Sequence, residues 1–401
     1  MIEFVPDGIA HGGEAIGRVD GKAHFVDGAI PGERVRGTVV HEKRSWARVA
    51  LDEIVEASPD RVEPACPHFS ECGGCQWQFA DPGAQLRWKA DIVAGQLRHL
   101  GGLAEAVVHP TVAPGPPWRY RNRMDFRVVD GRPALYRWRS RDTIPIETCL
   151  LLHPHLQALF DRLDDVRGAR SVTLRAATST GSTLAVVGGD IPAGIDEWGS
   201  GVVQKIGRDR EPVIGPGWLT ESVAGLDFRI TADAFFQNNT AGAEVLVALV
   251  DEALEASEDE TVLDAFAGGG LFGLTAGRRA GRLIAVESDP LALGDLRHNA
   301  SRSGMERRIV PGRVEEVVAT MGERWDLAIV DPPRSGLGAR GVGAVVSGGP
   351  RVVAYVSCDP ASLGRDARLL DEAGYSLTGA TPVDLFPQTF HVETVAVFER
   401  R

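Results

Sequence analysis

The 401-residue chain is poor in cysteine, in lysine and in long hydrophobic runs. No run of about 18 apolar residues occurs, which predicts that no helix spans a membrane. The N-terminus has no basic segment followed by an apolar one, so we expect no signal peptide. Five cysteines in a chain of this length are too few for a disulfide framework, and we expect a cytoplasmic protein in reducing surroundings.

Positive charge is scarce and unevenly distributed. The net charge of −12 argues against a protein that coats nucleic acid in general. The chain has only four lysines, so arginine carries nearly all the positive charge. Eight arginines nevertheless fall between Trp118 and Arg141, against only Asp125 and Asp130. This stretch is compatible with a solvated charged surface or with a local site for RNA phosphates.

Short apolar runs separated by turn signals predict an all-β segment over residues 1–58. Five short strands would fit a small barrel of the OB type, a scaffold that commonly binds oligonucleotides. Positive charge and an aromatic ring in the second half of the segment suit RNA: Arg34, Arg36, Lys43, Arg44, Trp46 and Arg48. An accessory barrel with an ordinary surface is the alternative.

The rest of the chain divides near the Gly/Pro-rich run at 215–217. Residues 59–217 contain four cysteines and the arginine-rich stretch, and one helix is predicted at about 82–100. Asp81 can cap this helix, Pro82 takes its first position and Gly101 ends it. Residues 218–401 alternate apolar strands with helix-length segments, which predicts an α/β fold with a mostly parallel, doubly wound sheet.

A glycine-rich turn follows the first of these strands. The strand ends at Asp264, Gly268 and Gly270 open the turn, and Glu287 ends the next strand. Such a turn lets the backbone approach a nucleoside, and the acid can hold two ribose hydroxyls. The spacing alone does not separate NAD from S-adenosylmethionine, but the turn lacks the Gly-x-Gly-x-x-Gly pattern, which favours S-adenosylmethionine. A turn that serves only packing is the alternative.

Three further strand ends carry reactive side chains: Asp331, Cys358 and Glu393. A thiol that adds to carbon 6 of uracil makes carbon 5 nucleophilic, and a base then removes the carbon-5 proton after methyl transfer. These three residues are of the required types. Taken singly, they are equally compatible with a turn cap, a buried structural cysteine and a surface acid. The Asp-Pro-Pro-Arg run at 331–334 also leaves an amino-methyltransferase open.

The remaining four cysteines form a plausible set of metal ligands. Cys66, Cys72 and Cys75 are spaced Cys-x5-Cys-x2-Cys, and Cys149 follows far downstream. Four thiolates hold zinc as well as an iron–sulfur cluster, so spacing leaves the metal open. The pattern is not the Cys-x3-Cys-x2-Cys run of radical S-adenosylmethionine sites.

The chain resembles the RNA uracil-C5 methyltransferases, in particular the iron–sulfur branch that acts on 23S rRNA. The similarity rests on the Gly-Arg-Val-Asp-Gly-Lys segment and its continuation, on the four-cysteine pattern and on the reactive strand ends. Two further segments are similar to family signatures: Trp-Arg-Tyr-Arg-Asn at 118–122 and Phe-Gln-x-Asn at 236–239.

The resemblance implies a TRAM barrel at 1–58 and an α+β central domain with a [4Fe–4S] site at 59–217, whose helix at about 82–100 packs on the catalytic domain. It implies a Rossmann-like S-adenosylmethionine-dependent methyltransferase domain at 218–401. Cys358 matches the nucleophile, Glu393 the base and Asp331 a further active-site acid. The cofactor site matches Gln237, Phe266, Gly268, Gly270, Glu287 and Asp331. The expected substrate is 23S rRNA rather than tRNA, with the target base flipped out of its helix, and the expected state is a monomer.

The sequence departs from the family pattern at three positions. Leu271, Arg313 and Asp359 stand where asparagine is common. Leu271 cannot hydrogen-bond the cofactor, and the charge of Asp359 beside Cys358 predicts a raised thiol pKa. These departures keep a second alternative open, an RNA-binding module with a vestigial cofactor pocket.

Overall fold

A computed structural model describes residues 1–163 and 165–401. The first six strands form the N-terminal sheet, in the order β1-β5-β6-β4-β3-β2, with β4 and β6 parallel and the other pairs antiparallel. They are β1 (Ile2–Phe4), β2 (Gly8–Ile9), β3 (Ala15–Val19), β4 (Lys22–Val26), β5 (Arg34–Glu42) and β6 (Trp46–Glu56). The sequence predicted five strands. The structure has one strand more than predicted, and the assignment as a TRAM-type RNA-binding barrel stays a prediction.

The middle sheet has seven strands in the order β13-β12-β11-β10-β7-β8-β9. They are β7 (Arg123–Val129), β8 (Arg132–Tyr136), β9 (Thr143–Pro145), β10 (Ala169–Ala176), β11 (Thr183–Gly189), β12 (Gly201–Ile206) and β13 (Asp209–Ile214). Two α-helices, α1 (Pro82–His99) and α2 (Pro154–Phe160), and a 3-10 turn at Ile195–Trp198 accompany it. Strands β11 and β12 are parallel, and the remaining pairs are antiparallel.

Helix α1 forms where the sequence predicts it. The carboxylate of Asp81 accepts from Gly83 N at 2.8 Å and from Ala84 N at 3.3 Å, and Pro82 occupies the first turn, where its missing N–H costs nothing. Val93 and Leu97 are buried in the same apolar cluster as the C-terminal strands. The helix is therefore docked onto the C-terminal part of the chain.

The C-terminal part starts with the hairpin β14 (Trp218–Val223) and β15 (Leu226–Thr231). The C-terminal sheet follows, in the order β18-β17-β16-β19-β20-β22-β21. Its strands are β16 (Thr261–Ala265), β17 (Arg282–Glu287), β18 (Glu306–Pro311), β19 (Leu327–Val330), β20 (Val352–Ser357), β21 (Tyr375–Val383) and β22 (Glu393–Arg400). The helices are α3 (Thr240–Leu254), α4 (Leu271–Thr275), α5 (Pro290–Ala300), α6 (Val314–Val317), α7 (Gly338–Val346) and α8 (Pro360–Glu372), with 3-10 turns at Ala276–Arg279 and Val318–Thr320.

Strands β18, β17, β16, β19 and β20 are parallel, and β22 and β21 close the sheet antiparallel. One apolar cluster packs α3 and α4 on one face of the sheet, and a second packs α1, α7 and α8 on the other. Helices on both faces of a largely parallel sheet confirm the predicted α/β class. Within residues 1–163 and 165–401, no helix is long and apolar enough to cross a membrane. The proposed domain limits at 58 and 217 stay predictions.

Candidate active site

Three strand ends bring the predicted catalytic residues together. Asp331 directly follows β19, and Cys358 directly follows β20, the parallel neighbour of β19. Glu393 opens β22, and the antiparallel pairing of Ser357 with Thr394 sets Glu393 opposite Cys358. The pKa of the Cys358 thiol responds to both carboxyls, so the three groups share one electrostatic environment.

The Cys358 thiol is held in its protonated form. Burial raises its pKa to about 12, and the Glu393, Asp331 and Asp359 carboxyls act in the same direction, whereas Arg334 acts in the opposite one. Cys358 lies just before the start of α8, and a helix N-terminus favours a thiolate, but burial and the carboxyls outweigh that influence. Asp359 contributes to the raised pKa, although less than Glu393 and Asp331.

The two carboxyls are also hard to ionise. Burial, followed by the charge of Asp331, raises the pKa of Glu393 to about 8, and Arg334 opposes that shift. Burial raises the pKa of Asp331 to about 7. Near neutral pH the site therefore mixes protonated and ionised carboxyls, a condition suited to proton transfer.

The glycine turn is joined to the next strand end. Phe266 has a φ of 69°, a left-handed conformation that is uncommon for a residue with a side chain, and Gly268 and Gly270 have φ values of 54° and 94°. The N–H of Gly268 donates to the carboxylate of Glu287 at 2.8 Å. Hence the two predicted cofactor elements, turn and acid, are in direct contact.

Asp264 is a further candidate ligand-binding residue. The sequence places it at a strand end, but it was not among the predicted site residues. Its Oδ2 atom accepts from Gly273 N at 2.8 Å. Its Oδ1 atom is buried and has no hydrogen-bond partner in the described part of the chain. Burial is the largest influence and raises the pKa of this carboxyl to about 8. The unpaired oxygen is available to a donor group of a ligand.

A cavity of about 850 Å³ opens beside the turn. Phe266 and Glu287 line it, together with residues 312–315, Pro333 and residues 335–340. Gln237, Gly270 and Asp331 lie outside this lining, and Gly268 borders it only through its bond to Glu287. Two of the six predicted cofactor residues therefore face this cavity.

Two departures from the family pattern have different consequences. Leu271 is buried in the apolar core and does not line the cavity. Arg313 does line the cavity, and its Nε donates to the carboxylate of Glu315 at 2.7 Å. Of these two positions, Arg313 alone changes the surface that a ligand in the cavity would contact.

The segment at 236–239 connects three parts of the molecule. Gln237 is buried, and its carbonyl oxygen accepts from Asn122 Nδ2 at 3.1 Å. Asn239 caps α3 and donates through Nδ2 to the carbonyl of Leu385 at 3.2 Å. Both segments that resemble family signatures therefore contact each other, and one of them reaches the loop at 384–392.

Helix α1 holds this same loop through polar contacts that the sequence did not reveal. Lys89 is fully buried, pairs with Asp384 and donates to the carbonyl of Phe386 at 3.1 Å. The amide of Gln85 donates to Gln388 Oε1 at 3.1 Å and accepts from Gln388 N at 3.0 Å. Gln388 itself has a φ of 69°. These bonds fix the loop that leads into β22.

The four remaining cysteines line a cavity of about 420 Å³. Burial, and to a lesser degree the other cysteines, raise the pKa of Cys75 to about 12 and that of Cys149 to about 11. Burial also raises the pKa of Cys72. Among the described side chains, no group of three or more His, Cys, Asp or Glu is arranged to hold a metal ion. The structure brings Cys66, Cys72, Cys75 and Cys149 to one cavity, and metal binding there stays a prediction.

Ion pairs occupy part of the predicted RNA surface. Arg34 and Arg36 pair with glutamates of the N-terminal sheet. Arg123, Arg137 and Arg139 pair with acids of the N-terminal and middle regions, and Arg123 also pairs with Asp233. Seven positive side chains from the two predicted surfaces make no ion pair with any residue that the structure describes: Lys43, Arg44, Arg119, Arg121, Arg127, Arg132 and Arg141.

The chain is similar to known proteins both in one segment and over nearly its full length. A family model described as conserved hypothetical protein 95 matches residues 244–337. An uncharacterized RNA methyltransferase of Gloeobacter violaceus is 35% identical, with 98% of this chain and 95% of the relative covered. One from Streptomyces avermitilis is 37% identical, with 98% and 96% covered.

The fold is also that of a solved structure. The crystal structure of the Pyrococcus abyssi tRNA (uracil-54, C5)-methyltransferase with S-adenosyl-L-homocysteine matches with a TM-score of 0.78, at 24% identity and with 99% of each chain covered. That likeness concerns the fold. The two relatives above match this chain over nearly its full length at 35% and 37% identity, and the chain therefore belongs to the RNA methyltransferase family.

Proposed function

We propose that the protein transfers a methyl group from S-adenosylmethionine to carbon 5 of a uridine in RNA. The observation that carries the proposal is the meeting of a thiol and two carboxyls, Cys358, Glu393 and Asp331, on adjacent strand ends. Uracil methylation at carbon 5 needs a nucleophile and a base at one place. An amino-methyltransferase would have no use for the thiol.

The residues would act in sequence. Cys358 loses its proton to the ionised carboxylate of Asp331 and forms a bond from Sγ to carbon 6 of the ring, which makes carbon 5 nucleophilic. Bound S-adenosylmethionine would supply the methyl group to that carbon and would be released as S-adenosylhomocysteine. Glu393 then removes the carbon-5 proton, the carbon–sulfur bond breaks, and Cys358 leaves as the thiolate. The base must be ionised before this step, and its pKa of about 8 allows that near neutral pH.

The charges of the site suit a cationic methyl donor. The carboxyls of Asp264, Asp331 and Glu393 all have raised pKa values because they are buried. A sulfonium or an ammonium group nearby would stabilise the ionised carboxyls and the thiolate of Cys358. The unpaired Oδ1 of Asp264 offers an acceptor to such a group. S-adenosylmethionine carries both cations, so this set of carboxyls fits it.

The 850 Å³ cavity is the proposed place of the adenosine. Phe266 offers a ring to the base and Glu287 a carboxylate to the ribose. Gly268 orients Glu287 through the bond between its N–H and that carboxylate. Gln237, Gly270 and Asp331 would contribute from outside this lining, toward the methionine part of the molecule.

The RNA is proposed to cross the exposed arginines and reach the thiol with one base flipped out. The N-terminal sheet (within 1–58) and the middle region (59–217) would bind the RNA, and residues 218–401 would carry the reaction. We retain 23S rRNA as the expected substrate. The Pyrococcus abyssi enzyme of similar fold acts on uracil 54 of tRNA, so tRNA is the substrate to test beside it.

The four-cysteine cavity is the proposed site of a [4Fe–4S] cluster. Its ligands would be Cys66, Cys72, Cys75 and Cys149, and the cluster would stabilise the middle region. The proposal is supported by the meeting of all four cysteines at one cavity, and the resemblance to the iron–sulfur branch favours a cluster over zinc. Anaerobic purification, an absorption spectrum and an iron and zinc analysis test this directly. A colourless protein with stoichiometric zinc would refute it.

The deciding experiment uses RNA that contains 5-fluorouridine. Fluorine at carbon 5 cannot be removed as a proton is, so a thiol adduct formed by the wild-type protein should persist in denaturing gels. Cys358→Ala should form no adduct, whereas Glu393→Gln should form one. Nucleoside mass mapping of 23S rRNA and tRNA after reaction then identifies the methylated uridine.

Two outcomes would overturn the proposal. Methylation that survives Cys358→Ala would favour an amino-methyltransferase that uses the Asp-Pro-Pro-Arg run. Calorimetry that detects no binding of S-adenosylmethionine to folded protein would favour an RNA-binding module with a vestigial pocket.

A further inference from the structure

The N-terminal sheet reaches the residue that follows the candidate nucleophile. The turn between β2 and β3, residues 10–14, carries His11. Its Nε2 atom lies 3.4 Å from Oδ2 of Asp359, and Asp359 directly follows Cys358. The two side chains are 34% and 27% exposed, so they meet at the edge of the site rather than in the core.

This turn is fixed in place from two sides. The carbonyl of Gly13 accepts from Trp77 Nε1 at 3.1 Å, and Trp77 lies two residues after Cys75. On the other side Gly13 touches the ring of Phe390, so closely that a Cβ atom at Gly13 would stand 2.8 Å from Phe390 Cδ1. The position of His11 is therefore set by the middle region and by the loop that precedes Glu393.

The carboxylate of Asp359 is held between two donors. Its Oδ1 atom accepts from Ser362 N at 2.7 Å, which caps α8, and its Oδ2 atom faces His11. Partial burial opposes ionisation of this carboxyl, but the bonds from His11 and Ser362 outweigh burial and lower its pKa to about 2. Asp359 is thus a full negative charge next to the thiol.

We propose that His11 is a positioning residue for Cys358: its imidazole holds the Asp359 carboxylate turned toward the N-terminal sheet through the contact between Nε2 and Oδ2. The proposal deepens the proposed function and rests on it for the role of the thiol. It also explains how an aspartate is tolerated at a position where the resemblance leads one to expect a neutral asparagine.

Other charged groups act on the same thiol and define the background. Glu393, Asp331 and Asp359 disfavour the thiolate of Cys358, and Arg334 favours it. His11 and Arg334 also act together on His391, whose pKa is lowered to about 4, mainly by burial. Since Arg334 and the two other carboxyls remain in every variant below, a change in thiol reactivity reports on His11 and Asp359.

A double-mutant cycle on thiol reactivity tests the proposal without RNA or methyl donor. The variants are His11→Ala, Asp359→Asn and the double variant in the full-length metal-loaded protein. The rate of alkylation by iodoacetamide is measured from pH 7 to 9.5 by mass spectrometry. The tryptic peptide of residues 352–365 contains Cys358 as its single cysteine, so the other thiols do not interfere.

His11→Ala should slow alkylation of Cys358 about threefold to tenfold, because the thiolate is the reactive form and Asp359 would lose its partner. Asp359→Asn should speed it, since asparagine still caps α8 but carries no charge. In the Asp359→Asn background, His11→Ala should have little effect.

Two further variants keep the test decisive. His11→Gln retains a side-chain donor and should fall between wild type and His11→Ala. It also replaces the alanine variant in the cycle if that variant does not fold. His41→Ala removes a histidine of the same sheet, at the end of β5 against the ring of Trp46, and should leave alkylation unchanged.

Additive effects of His11→Ala and Asp359→Asn, or equal alkylation rates in wild type and His11→Ala, would overturn the inference. This failure is distinguishable from failure of the proposed function. If Cys358→Ala abolishes uridine methylation while the cycle shows no coupling, the function stands and the role of His11 falls. If Cys358→Ala still methylates RNA, the function falls whatever the cycle shows.

Discussion

The four-cysteine cavity and the lone Cys358 offer the most instructive comparison in this molecule. All five thiols are partly buried, and burial raises the pKa of Cys75 and of Cys358 alike to about 12. Their neighbours differ. The thiols of the cavity are surrounded by one another, whereas Cys358 is flanked by Glu393, Asp331 and Arg334. Burial alone therefore does not distinguish the two kinds of thiol. The neighbouring groups distinguish the proposed metal ligands from the proposed nucleophile.

The two sites are also physically connected. Gln76 and Trp77 follow Cys75, and their N–H groups both donate to the carbonyl of Gln388 at 3.0 Å. Gln388 belongs to the loop that leads into β22 and Glu393. The cavity of four thiols is therefore attached to the loop that leads to Glu393, on the base side of the candidate active site.

The largest expected effect separates the two classes of thiol. Cys358→Ala should lower the single-turnover rate of uridine methylation by about 10³-fold or more, because covalent catalysis is lost. Metal content and melting temperature should stay at wild-type values. Cys149→Ala should instead lower both, since a ligand is removed. Loss of metal in Cys358→Ala, or full metal content in Cys149→Ala, would contradict the division.

The second prediction concerns the ion pair between Lys89 of α1 and Asp384, which holds the loop at 384–392 that leads to Glu393. Lys89→Met should lower the free energy of unfolding by about 3–5 kcal/mol, because the buried carboxyl of Asp384 loses its counter-charge. Denaturant melts measure this. The double variant Lys89→Met with Asp384→Leu leaves no unpaired buried charge and should recover most of the loss. Equal destabilisation in the single and double variants would show that packing, not charge, holds α1 to the loop.

Much of this arrangement was readable from local signals. Helix α1 was predicted from Asp81, Pro82 and Gly101, because caps act within one turn. Asp331 and Cys358 follow apolar runs that form parallel strands, whose carboxyl ends meet at one edge of a sheet. Glu393 opens an antiparallel strand, yet the register brings it to the same edge.

Other features carried no local signal. Strand β18 is Glu-Arg-Arg-rich because it is an edge strand, and β21 contains Gly379 and Pro382, so neither reads as an apolar run. The bonds of Gln85 to Gln388 and of Lys89 to Asp384 join residues 303 and 295 positions apart. A buried lysine on a helix looks like a surface lysine until its partner is known.

The pH dependence of methylation tests Glu393, the proposed base, and sets it against the four-cysteine cavity. The kcat/KM for methylation should rise at least about tenfold between pH 7 and 9, because Glu393, with a pKa of about 8, must lose its proton before it can accept one. The thiol of Cys358 titrates in the same direction. The metal content of the four-cysteine cavity should stay constant over this range. A profile that falls above pH 7 would exclude Glu393 as the base.

The smallest expected effect concerns Arg334, the cation that acts on Cys358 and Glu393. Arg334 lowers the pKa of both Cys358 and Glu393, and it is exposed, so its influence is screened. Arg334→Gln should slow alkylation of Cys358 about twofold to fivefold and move the rise of kcat/KM to higher pH. Arg340→Gln is the matched control: Arg340 is exposed, six residues further along, and is not among the groups that shift the pKa of Cys358, so alkylation should stay unchanged. If both variants behave alike, the carboxyls and burial alone set the reactivity of Cys358. The contrast with the four-cysteine cavity would then rest on Glu393 and Asp331.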